Sequence, residues 1–186
     1  MNVELLRLKG SRLITGNLQP DLRGSFFKIF NAELFRDNGI DFDIVEIFYS
    51  FSKKNVIRGM HFQFPPFEQA KLIHVIRGKI DDIILDLRTD SNSYGEFMSI
   101  ELAADDGKIL YVPRGCAHGF MSKDIESIVI YAVDAPYSPL HEGGILYSSF
   151  GYDWGDESKI LSKRDASFVG FDEFSSPFLM DRRGQE

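Results

Sequence analysis

The sequence predicts a mainly β protein, with short strands arranged as a sandwich or barrel and a few short helices. Its 186 residues include 17 phenylalanines, and aromatic side chains favour strands and pack large apolar areas. Short apolar segments are separated by Gly, Pro, Asn and Asp, which is typical of sandwiches and barrels. No repeat, low-complexity tract or linker divides the chain, so we predict a single domain over residues 1–186.

The individual elements follow from apolar alternation and turn residues. The strands expected on this basis are residues 26–30, 43–51, 97–102, 109–112 and 127–133. Residues 71–87 contain two β-rich runs on either side of Gly78, and a glycine there suits a tight hairpin turn. Residues 33–38 are expected to form a short helix, and a second short helix is expected near residues 162–165.

The strand that follows Gly78 places a carboxylate towards the interior. Ile80, Asp82 and Ile84 share one face of this strand, and the isoleucines indicate that the face is buried. A buried carboxylate is unfavourable unless it is paired or solvated. Such positions often belong to functional sites, so Asp82 marks a candidate site.

Composition and charge exclude several classes of protein. The formal net charge is −7, which argues against nucleic-acid binding because that function requires a basic surface. Cys116 is the single cysteine, so no intrachain disulfide can form and a reducing cytoplasm is the expected compartment. The first residues lack the apolar core of a secretory signal, and no apolar run reaches membrane-spanning length. We therefore expect a cytoplasmic protein that does not bind membranes.

One motif connects the β-rich pattern to a histidine. From Gly107 to His118 the sequence has Gly, five residues, Pro-x-Gly, two residues and His. This spacing fits the second signature of cupin jelly rolls, in which a strand, a tight turn and an inward histidine follow one another. An ordinary turn before a core histidine fits this segment equally well.

The corresponding first signature does not have the residues of a metal site. His61 is present, but the second histidine of a His-x-His pair is replaced by Gln63. An amide is a poorer ligand for transition metals than imidazole. Glu68, His74 and His118 could complete a site in principle, but His74 lies one position out of register with Lys71 and faces the opposite side of its strand. We therefore predict that the protein holds no metal ion.

Several ordered motifs resemble the dTDP-4-dehydrorhamnose 3,5-epimerase family. They extend from about residue 20 to residue 166 and are Asp21-x-Arg23-Gly24-x-Phe26, Ser50-x-Ser52, Arg58-Gly59-Met60-His61-Phe62-Gln63, Gln69-Ala70-Lys71-Leu72, Asp86-Leu87-Arg88, Tyr94-Gly95, Pro113-x-Gly115-x-Ala117-His118-Gly119-Phe120, Tyr131, Tyr137 and Leu161-Ser162-x-x-Asp165. The resemblance implies a cupin-type jelly roll with few short helices. It also implies an isomerase that acts on a nucleotide-linked 4-keto-6-deoxyhexose in deoxysugar or surface-polysaccharide biosynthesis.

The resemblance also assigns catalytic roles. In this family a base removes a proton next to the C4 ketone, an enolate forms, and an acid returns a proton to the opposite face of the sugar. His61 would be the base, oriented by Asp165, with Tyr131 as the acid and Lys71 as the enolate stabiliser. Each residue alone has an ordinary structural explanation, as a core, strand or capping residue. Their combination at the family's positions favours the catalytic interpretation.

The family further implies how the substrate is held. The substrate-binding residues carried over by motif are Arg23, Phe26, Lys28, Glu46, Arg58, Gln63, His118 and Tyr137. The implied partners are a nucleotide-diphosphate sugar and a second copy of the chain, because family members are homodimers. An N-terminal strand of each subunit would reach the partner, so Arg23, Phe26 and Lys28 would complete the partner's nucleotide pocket. No cofactor is implied.

Three departures from the family pattern fall around the nucleotide. Lys28 stands where the family has a glutamate that meets thymine, Glu46 and Phe48 replace a glutamine and an asparagine, and Tyr147 stands near a missing Trp-x-Asp-Pro motif. An ammonium group donates hydrogen bonds and accepts none, so it cannot pair with the N3–H of thymine but can pair with N3 or O2 of cytosine. We therefore predict that a CDP-linked sugar is preferred to a dTDP-linked one.

Three alternatives to a 3,5-epimerase remain at this point. An enzyme that epimerises only C3 or only C5 would use the same kind of base and acid. A sugar-binding cupin without turnover would keep the pocket but lack the acid–base set. A metal-dependent cupin oxygenase or isomerase would require ligands that Gln63 does not provide well.

Overall fold

The computed structural model describes residues 2–180 and consists of two facing β-sheets. Its thirteen strands within this range are β1 (Asn2–Leu5), β2 (Arg12–Thr15), β3 (Gln19–Asp21), β4 (Gly24–Phe26), β5 (Glu46–Lys53), β6 (Ile57–Gln63), β7 (Lys71–Arg77), β8 (Lys79–Asp86), β9 (Phe97–Ala103), β10 (Lys108–Val112), β11 (Cys116–Ser122), β12 (Glu126–Val133) and β13 (Glu142–Gly144). The helices are α1 (Ala32–Asp37) and two 3₁₀ turns, Asp165–Ser167 and Phe171–Glu173.

The two sheets pack face to face around an apolar core. One sheet has the strand order β1-β2-β10-β7-β12-β5 and the other has the order β13-β6-β11-β8-β9, and their paired strands are antiparallel. Among the strands of residues 2–180, β3 and β4 pair only with each other. Side chains of both sheets, including Ile73, Ile84, Phe120 and Val129, meet in one buried cluster. The predicted mainly β sandwich is therefore confirmed.

Most expected elements are present with shifted ends. The strands predicted at 97–102, 109–112 and 127–133 are β9, β10 and β12, and the helix predicted at 33–38 is α1. The Asn31 side chain caps α1 by accepting hydrogen bonds from the N–H groups of Glu33 and Leu34. The strand predicted at 43–51 begins later, at Glu46. The helix predicted near 162–165 is the 3₁₀ turn that begins at Asp165.

The strand predicted at residues 26–30 is wrong. Phe26 ends β4, and residues 27–30 are not in a strand. Phe27, Ile29 and Phe30 instead pack with α1 residues such as Phe35 in a separate cluster on the six-stranded sheet. Their aromatic and branched side chains therefore cover the sheet rather than extend it.

The tight hairpin predicted at Gly78 is also wrong, although both of its strands exist. Strand β7 pairs with β10 and β12 in one sheet, whereas β8 pairs with β11 and β9 in the other. Gly78 therefore carries the chain from one sheet to the other. It has φ +73°, and a Cβ there would lie 2.2 Å from the Glu126 carbonyl oxygen, so this crossing requires glycine.

Strands β6 and β11 contain glycines that weaken a strand prediction, and they approach each other closely. Gly59 has φ +146°, and a Cβ at that position would lie 2.5 Å from the Gly119 Cα. His118 and His61 are directly opposite in the register of these two strands. The close approach therefore fixes two histidines on one face of the sheet.

Some apolar residues near the N-terminal half remain exposed. The β3–β4 hairpin exposes Leu22 at its tip completely and Phe26 at the end of β4 to 64%. The edge strand β5 exposes Ile47 and Tyr49.

Among residues 2–180, no helix has the length and apolar composition needed to cross a membrane. The single-domain organisation over residues 1–186 stays a prediction, since Met1 and residues 181–186 lie outside the described part.

Candidate active site

The structure contains a cavity of about 500 Å³. Strands of both sheets and the loops after β12 and before the first 3₁₀ turn supply its walls. The lining residues are Glu46, Phe48, Tyr49, Ser50, Arg58, His61, Phe62, Gln63, Gln69, Lys71, His118, Tyr131, Tyr137, Glu142 and Arg164. The structure thus brings together the predicted residues His61, Lys71, Tyr131, Glu46, Arg58, Gln63, His118 and Tyr137.

His61 and Asp165 form a pair at the edge of this cavity. The His61 Nε2 atom lies 3.1 Å from Asp165 Oδ1. The Gly59 N–H donates to Asp165 Oδ2 at 3.2 Å, so the strand that carries His61 also holds its carboxylate. The predicted contact between His61 and Asp165 is present, although they are 104 positions apart in the sequence by subtraction of their residue numbers.

The surroundings favour a neutral His61 beside an ionised Asp165. Burial lowers the pKa of His61, the positive charges of Lys71 and Arg164 lower it further, and Asp165 acts in the opposite direction. Burial alone would raise the pKa of Asp165, but hydrogen bonds from His61, Ser162 and Gly59 lower it well below its usual range. A neutral imidazole can accept a proton, and the adjacent carboxylate stabilises the resulting charge.

A second imidazole–carboxylate pair lies deeper, between His118 and Asp82. The His118 Nε2 atom lies 2.9 Å and 2.8 Å from the two carboxylate oxygens of Asp82. Both side chains are almost fully buried. Burial raises the pKa of Asp82, against the opposing influence of His118. The inward carboxylate inferred from the alternation in β8 is therefore confirmed, although the family resemblance assigned no role to Asp82.

Lys71 lies between the two pairs as a buried ammonium group. Its Nζ atom donates to the His61 carbonyl oxygen at 3.2 Å. Burial lowers its pKa to about 8, while the carboxylates of Asp82 and Glu142 favour the charged form. A lysine in this environment is charged at neutral pH, and Lys71 presents its charge to the cavity that His61 also lines.

Tyr131 projects from β12 into the same cavity. Its ring stacks on Phe48 with centroids 4.9 Å apart, and its hydroxyl lies 3.4 Å from Ser50 Oγ. Burial raises the pKa of Tyr131, so the phenol remains protonated at neutral pH. The side chain can therefore donate a proton within the cavity.

Three charged residues and a tyrosine form a connected rim. The Tyr137 N–H donates to Glu46 Oε1 at 2.9 Å, and the Tyr137 hydroxyl donates to Glu142 Oε2 at 2.9 Å. Arg164 Nη1 donates to Glu142 Oε1 at 2.6 Å. Sequence reasoning did not identify Glu142 or Arg164. The position of Arg164 directly before Asp165 was the available signal for it, and nothing comparable marked Glu142.

Arg58 and Gln63 each hold part of the cavity wall. Arg58 donates through Nε to Ser52 Oγ at 2.9 Å and through Nη2 to the Phe51 carbonyl at 2.8 Å. The Gln63 amide oxygen accepts the N–H of Ser138, and its nitrogen donates to loop carbonyls. Within residues 2–180, no three His, Cys, Asp or Glu side chains are grouped to hold a metal ion.

His74 and the hairpin residues lie away from this cavity. His74 Nδ1 lies 2.8 Å from the Lys108 carbonyl and its ring stacks on Phe27, which confirms that it faces away from Lys71. Arg23 pairs with Asp21 at 2.5 Å, and Phe26 and Lys28 are exposed. None of Arg23, Phe26 and Lys28 lines the cavity of its own chain. Their predicted role in a partner's pocket stays a prediction.

The fold and the cavity together define a class of protein. A neutral imidazole paired with a carboxylate, a buried ammonium group and a protonated phenol surround a space large enough for a small ligand. These groups can remove a proton next to a carbonyl, stabilise the oxyanion and return a proton. The chain is therefore built as an acid–base isomerase on a β-sandwich.

Comparisons with known proteins give the family. The model of the dTDP-4-dehydrorhamnose 3,5-epimerase family matches residues 5–173. The dTDP-4-dehydrorhamnose 3,5-epimerase of Sinorhizobium fredii is 36% identical over 171 residues, which cover 90% of this chain and 88% of that protein. This chain belongs to the dTDP-4-dehydrorhamnose 3,5-epimerase family.

Solved structures agree with this assignment and with the predicted cupin jelly roll. The Legionella pneumophila dTDP-6-deoxy-D-glucose-3,5-epimerase, solved with dTDP-4-keto-L-rhamnose, is 27% identical with a TM-score of 0.91, covering 97% of this chain and 99% of that chain. A 3′-monoepimerase from Streptomyces bikiniensis, solved with dTDP-quinovose, is 26% identical with a TM-score of 0.84, covering 89% and 85%.

Proposed function

We propose that this chain epimerises a nucleotide-linked 4-keto-6-deoxyhexose at C3, C5 or both, in deoxysugar or surface-polysaccharide biosynthesis. The observation that carries the proposal is that His61, Lys71 and Tyr131 line one cavity while Asp165 pairs with His61 at its edge. The family match supports it, because relatives with this name act on such sugars.

Each of these residues has a step in the reaction. His61 takes the proton from the carbon next to the C4 ketone, and the electron pair moves to the ketone oxygen as an enolate. The Lys71 ammonium stabilises that oxygen, and Asp165 stabilises the imidazolium. Tyr131 donates its proton to the opposite face of the carbon, which inverts the centre. Both protons are exchanged with solvent before the next turnover, so the reaction needs no oxidant or cofactor.

The experiment is deuterium uptake from D₂O by a panel of nucleotide-linked 4-keto sugars, read by NMR of the product. Uptake at C3 and C5 with inversion is the expected result for a 3,5-epimerase. Uptake at one carbon identifies a monoepimerase, which the similarity to the Streptomyces enzyme makes a specific second candidate. Tight ligand binding without any uptake would show a non-catalytic sugar-binding protein and would contradict the proposal.

A homodimer is part of the proposal. Within residues 2–180 the β3–β4 hairpin pairs with no other strand and exposes Leu22 and Phe26, and the edge strand β5 exposes Ile47 and Tyr49. Large exposed apolar side chains favour burial against another chain. The hairpin could then supply Arg23, Phe26 and Lys28 to the partner's cavity. Sedimentation as an active monomer at micromolar concentration would contradict this arrangement.

The nucleotide base provides a test of Lys28 in that arrangement. Lys28 is exposed in its own chain, and an ammonium meeting the base would leave the thymine N3–H unpaired, which costs roughly 1–3 kcal/mol. We expect CDP to bind more tightly than dTDP, and Lys28→Glu to shift the preference towards dTDP, both measured by calorimetry. Equal or tighter binding of dTDP by the unmodified protein would contradict this prediction.

A cytoplasmic location is proposed on the basis of the single cysteine.

A further inference from the structure

A second cavity, of about 540 Å³, shares no lining residue with the cavity that contains His61. Residues of β2, β10 and α1 line it, together with the segments that follow β8 and β10. Two carboxylates, Asp41 and Asp134, belong to the lining. Five cationic side chains outnumber them, and these are Lys9, Arg12, Arg36, Arg88 and Arg114. In a chain with a formal net charge of −7, this local excess of positive charge favours an anionic ligand.

The Arg88 side chain is the buried cation of this cavity, with 4% of it exposed. Its Nε and Nη2 atoms donate to the two carboxylate oxygens of Asp86 at 2.7 Å and 2.8 Å. A Cβ at Gly10, which also lines the cavity, would lie 3.5 Å from Arg88 Nη1. Within residues 2–180, Nη1 has no protein acceptor. Buried polar groups are normally hydrogen-bonded, so these N–H groups indicate a place for an acceptor from a ligand.

Two further arginines of the lining keep a terminal nitrogen in the same way. Arg12 donates through Nη1 to the Ser11 carbonyl at 3.1 Å, and its Nε is buried without a partner. Arg114 donates through Nε and Nη2 to Asp134 Oδ2 at 3.0 Å and 2.8 Å. Among the hydrogen bonds of residues 2–180, Nη2 of Arg12 and Nη1 of Arg114 have no acceptor. Three guanidinium groups of one cavity thus have donors in excess of acceptors.

The carboxylates nearby leave part of the positive charge uncompensated. Asp86 is bound by Arg88, and Asp134 is bound by Arg114 while its Oδ1 accepts the Ala70 N–H at 2.7 Å. Asp41 is therefore the one carboxylate of the lining that remains to oppose the three other cations, which are Lys9, Arg12 and Arg36.

We propose that this second cavity binds a small molecule through a phosphate group that it carries. Guanidinium groups match the oxygens of a phosphate with paired hydrogen bonds, which a single lysine cannot do. The volume is in the range of small-molecule sites and exceeds the space that a phosphate group alone requires. Ile40 and Pro113 are buried residues of the lining and provide an apolar wall for the rest of the molecule.

The first test is titration of the ¹⁵N-labelled protein with inorganic phosphate and with glucose 1-phosphate. The backbone amides of Gly10 and Gly39 report on the second cavity, and the amide of Gly144, the register partner of His61, reports on the first. We expect saturable shifts of Gly10 and Gly39 with both probes. Glucose 1-phosphate should bind more tightly, because its sugar also contacts the apolar wall. Absence of saturable shifts at millimolar concentrations of both probes would overturn the proposal, and equal affinities would overturn its organic ligand.

Variants of the exposed and half-buried cations separate a specific site from general attraction. Arg12→Gln should weaken binding at Gly10 and Gly39 by about tenfold, and Arg12→Lys by less, because it keeps the charge but loses the paired donors. Arg36→Gln lies on the exposed side of α1 and gives a second neutral variant if Arg12→Gln is unstable. Arg77→Gln removes an arginine that lines neither cavity and should bind as the unmodified protein does. Equal weakening in Arg77→Gln would overturn the proposal.

The inference is independent of the proposed epimerase function, and activity provides its last control. Arg12→Gln should leave both the Gly144 response and deuterium uptake by a nucleotide-linked 4-keto sugar unchanged. Arg88 and Arg114 are unsuitable for this purpose, since they hold Asp86 and the Asp134 carboxylate next to β7. Parallel loss of the Gly10 and Gly144 responses in Arg12→Gln would show a general change of structure and overturn the assignment of a separate site.

Discussion

The cavity contains two imidazole–carboxylate pairs on neighbouring strands, and the surroundings of the two pairs differ. His61 on β6 and His118 on β11 are opposite each other in register. The His61 side chain is 25% exposed and shares its nitrogen between Asp165 and Arg164. The His118 side chain is 4% exposed and meets both oxygens of Asp82. The pair of His61 and Asp165 is therefore the more accessible one, and the pair of His118 and Asp82 is buried below it.

The difference shows that burial and hydrogen bonds together set the charge state of a carboxylate. Burial disfavours the charge of both carboxylates, yet the pKa of Asp165 is lowered and that of Asp82 is raised. Asp165 receives donors from the backbone of Gly59 and the side chain of Ser162, whereas Asp82 depends on His118 and the nearby Lys71. A carboxylate with its own backbone donor remains ionised when its histidine changes charge, which suits a catalytic pair.

The largest expected effect comes from removing the exposed imidazole. His61→Ala should reduce deuterium uptake at the epimerised carbon by about 10²–10⁴-fold, since that is the usual contribution of a positioned general base. His141→Ala removes a histidine that does not line the cavity and serves as the control. NMR of the sugar in D₂O measures both variants. Unreduced exchange in His61→Ala would show that another group is the base.

The second largest expected effect is a loss of stability when the buried pair of His118 and Asp82 is broken. His118→Ala leaves Asp82 without its partner inside the protein and should lower the free energy of unfolding by about 3 kcal/mol. His61→Ala should cost less, because Asp165 keeps the Gly59 N–H and the contact with Arg164. Urea denaturation compares the two variants. Replacing Asp82 and His118 together by leucine should recover most of the loss, and failure to do so would contradict the account of an unpaired charge.

The smallest expected effect is a change in the pH dependence of catalytic activity, caused by the loss of the Lys71 charge. Its pKa in the folded protein is about 8, below its ordinary value of 10.5. Loss of its charge should produce a basic limb in kcat/KM near pH 8, which Lys71→Arg should remove because guanidinium stays charged. The pH–rate profiles of the two proteins measure this directly. A basic limb that persists in Lys71→Arg would assign it to another group.

The same shift has a consequence for stability with a definite sign. Between about pH 8 and 10.5 the unfolded chain holds the Lys71 proton more tightly than the folded chain. The contribution of this group to the free energy of unfolding should therefore rise with pH in that window. Below about pH 8 the full cost of the buried charge is present. Comparison with Lys71→Met by urea denaturation at several pH values isolates this contribution.

The sequence predicted which residues lie together better than it predicted the path of the chain. The motifs around His61, Lys71 and Tyr131 locate residues that line one cavity, and the motif with Asp165 locates the carboxylate that contacts His61, while their catalytic roles stay predictions. Gly78 was misread because a glycine between two β-rich runs is compatible with a hairpin and with a crossing between sheets. Only the pairing of distant strands decides between them, and that pairing is a property of the whole sandwich.

The missed site residues have a similar explanation. Asp82 was recognised as an inward carboxylate, but its partner His118 is 36 positions away by subtraction of residue numbers, and their contact depends on the register of β8 with β11. Arg164 and Glu142 are ordinary charged residues in loop or edge segments, which in sequence are indistinguishable from solvated surface. Their roles follow from where the loops close over the cavity.

The contact between Gly59 and Gly119 restricts how this enzyme can diversify. A side chain at either position would collide with the opposite backbone, and the Gly59 amide also holds Asp165. Substitutions at these two glycines should therefore be selected against, whereas the rim residues Glu46 and Tyr137 can change without such a collision. We therefore expect new sugar preferences to evolve through substitutions at the rim of the cavity, while the proposed acid–base residues stay unchanged.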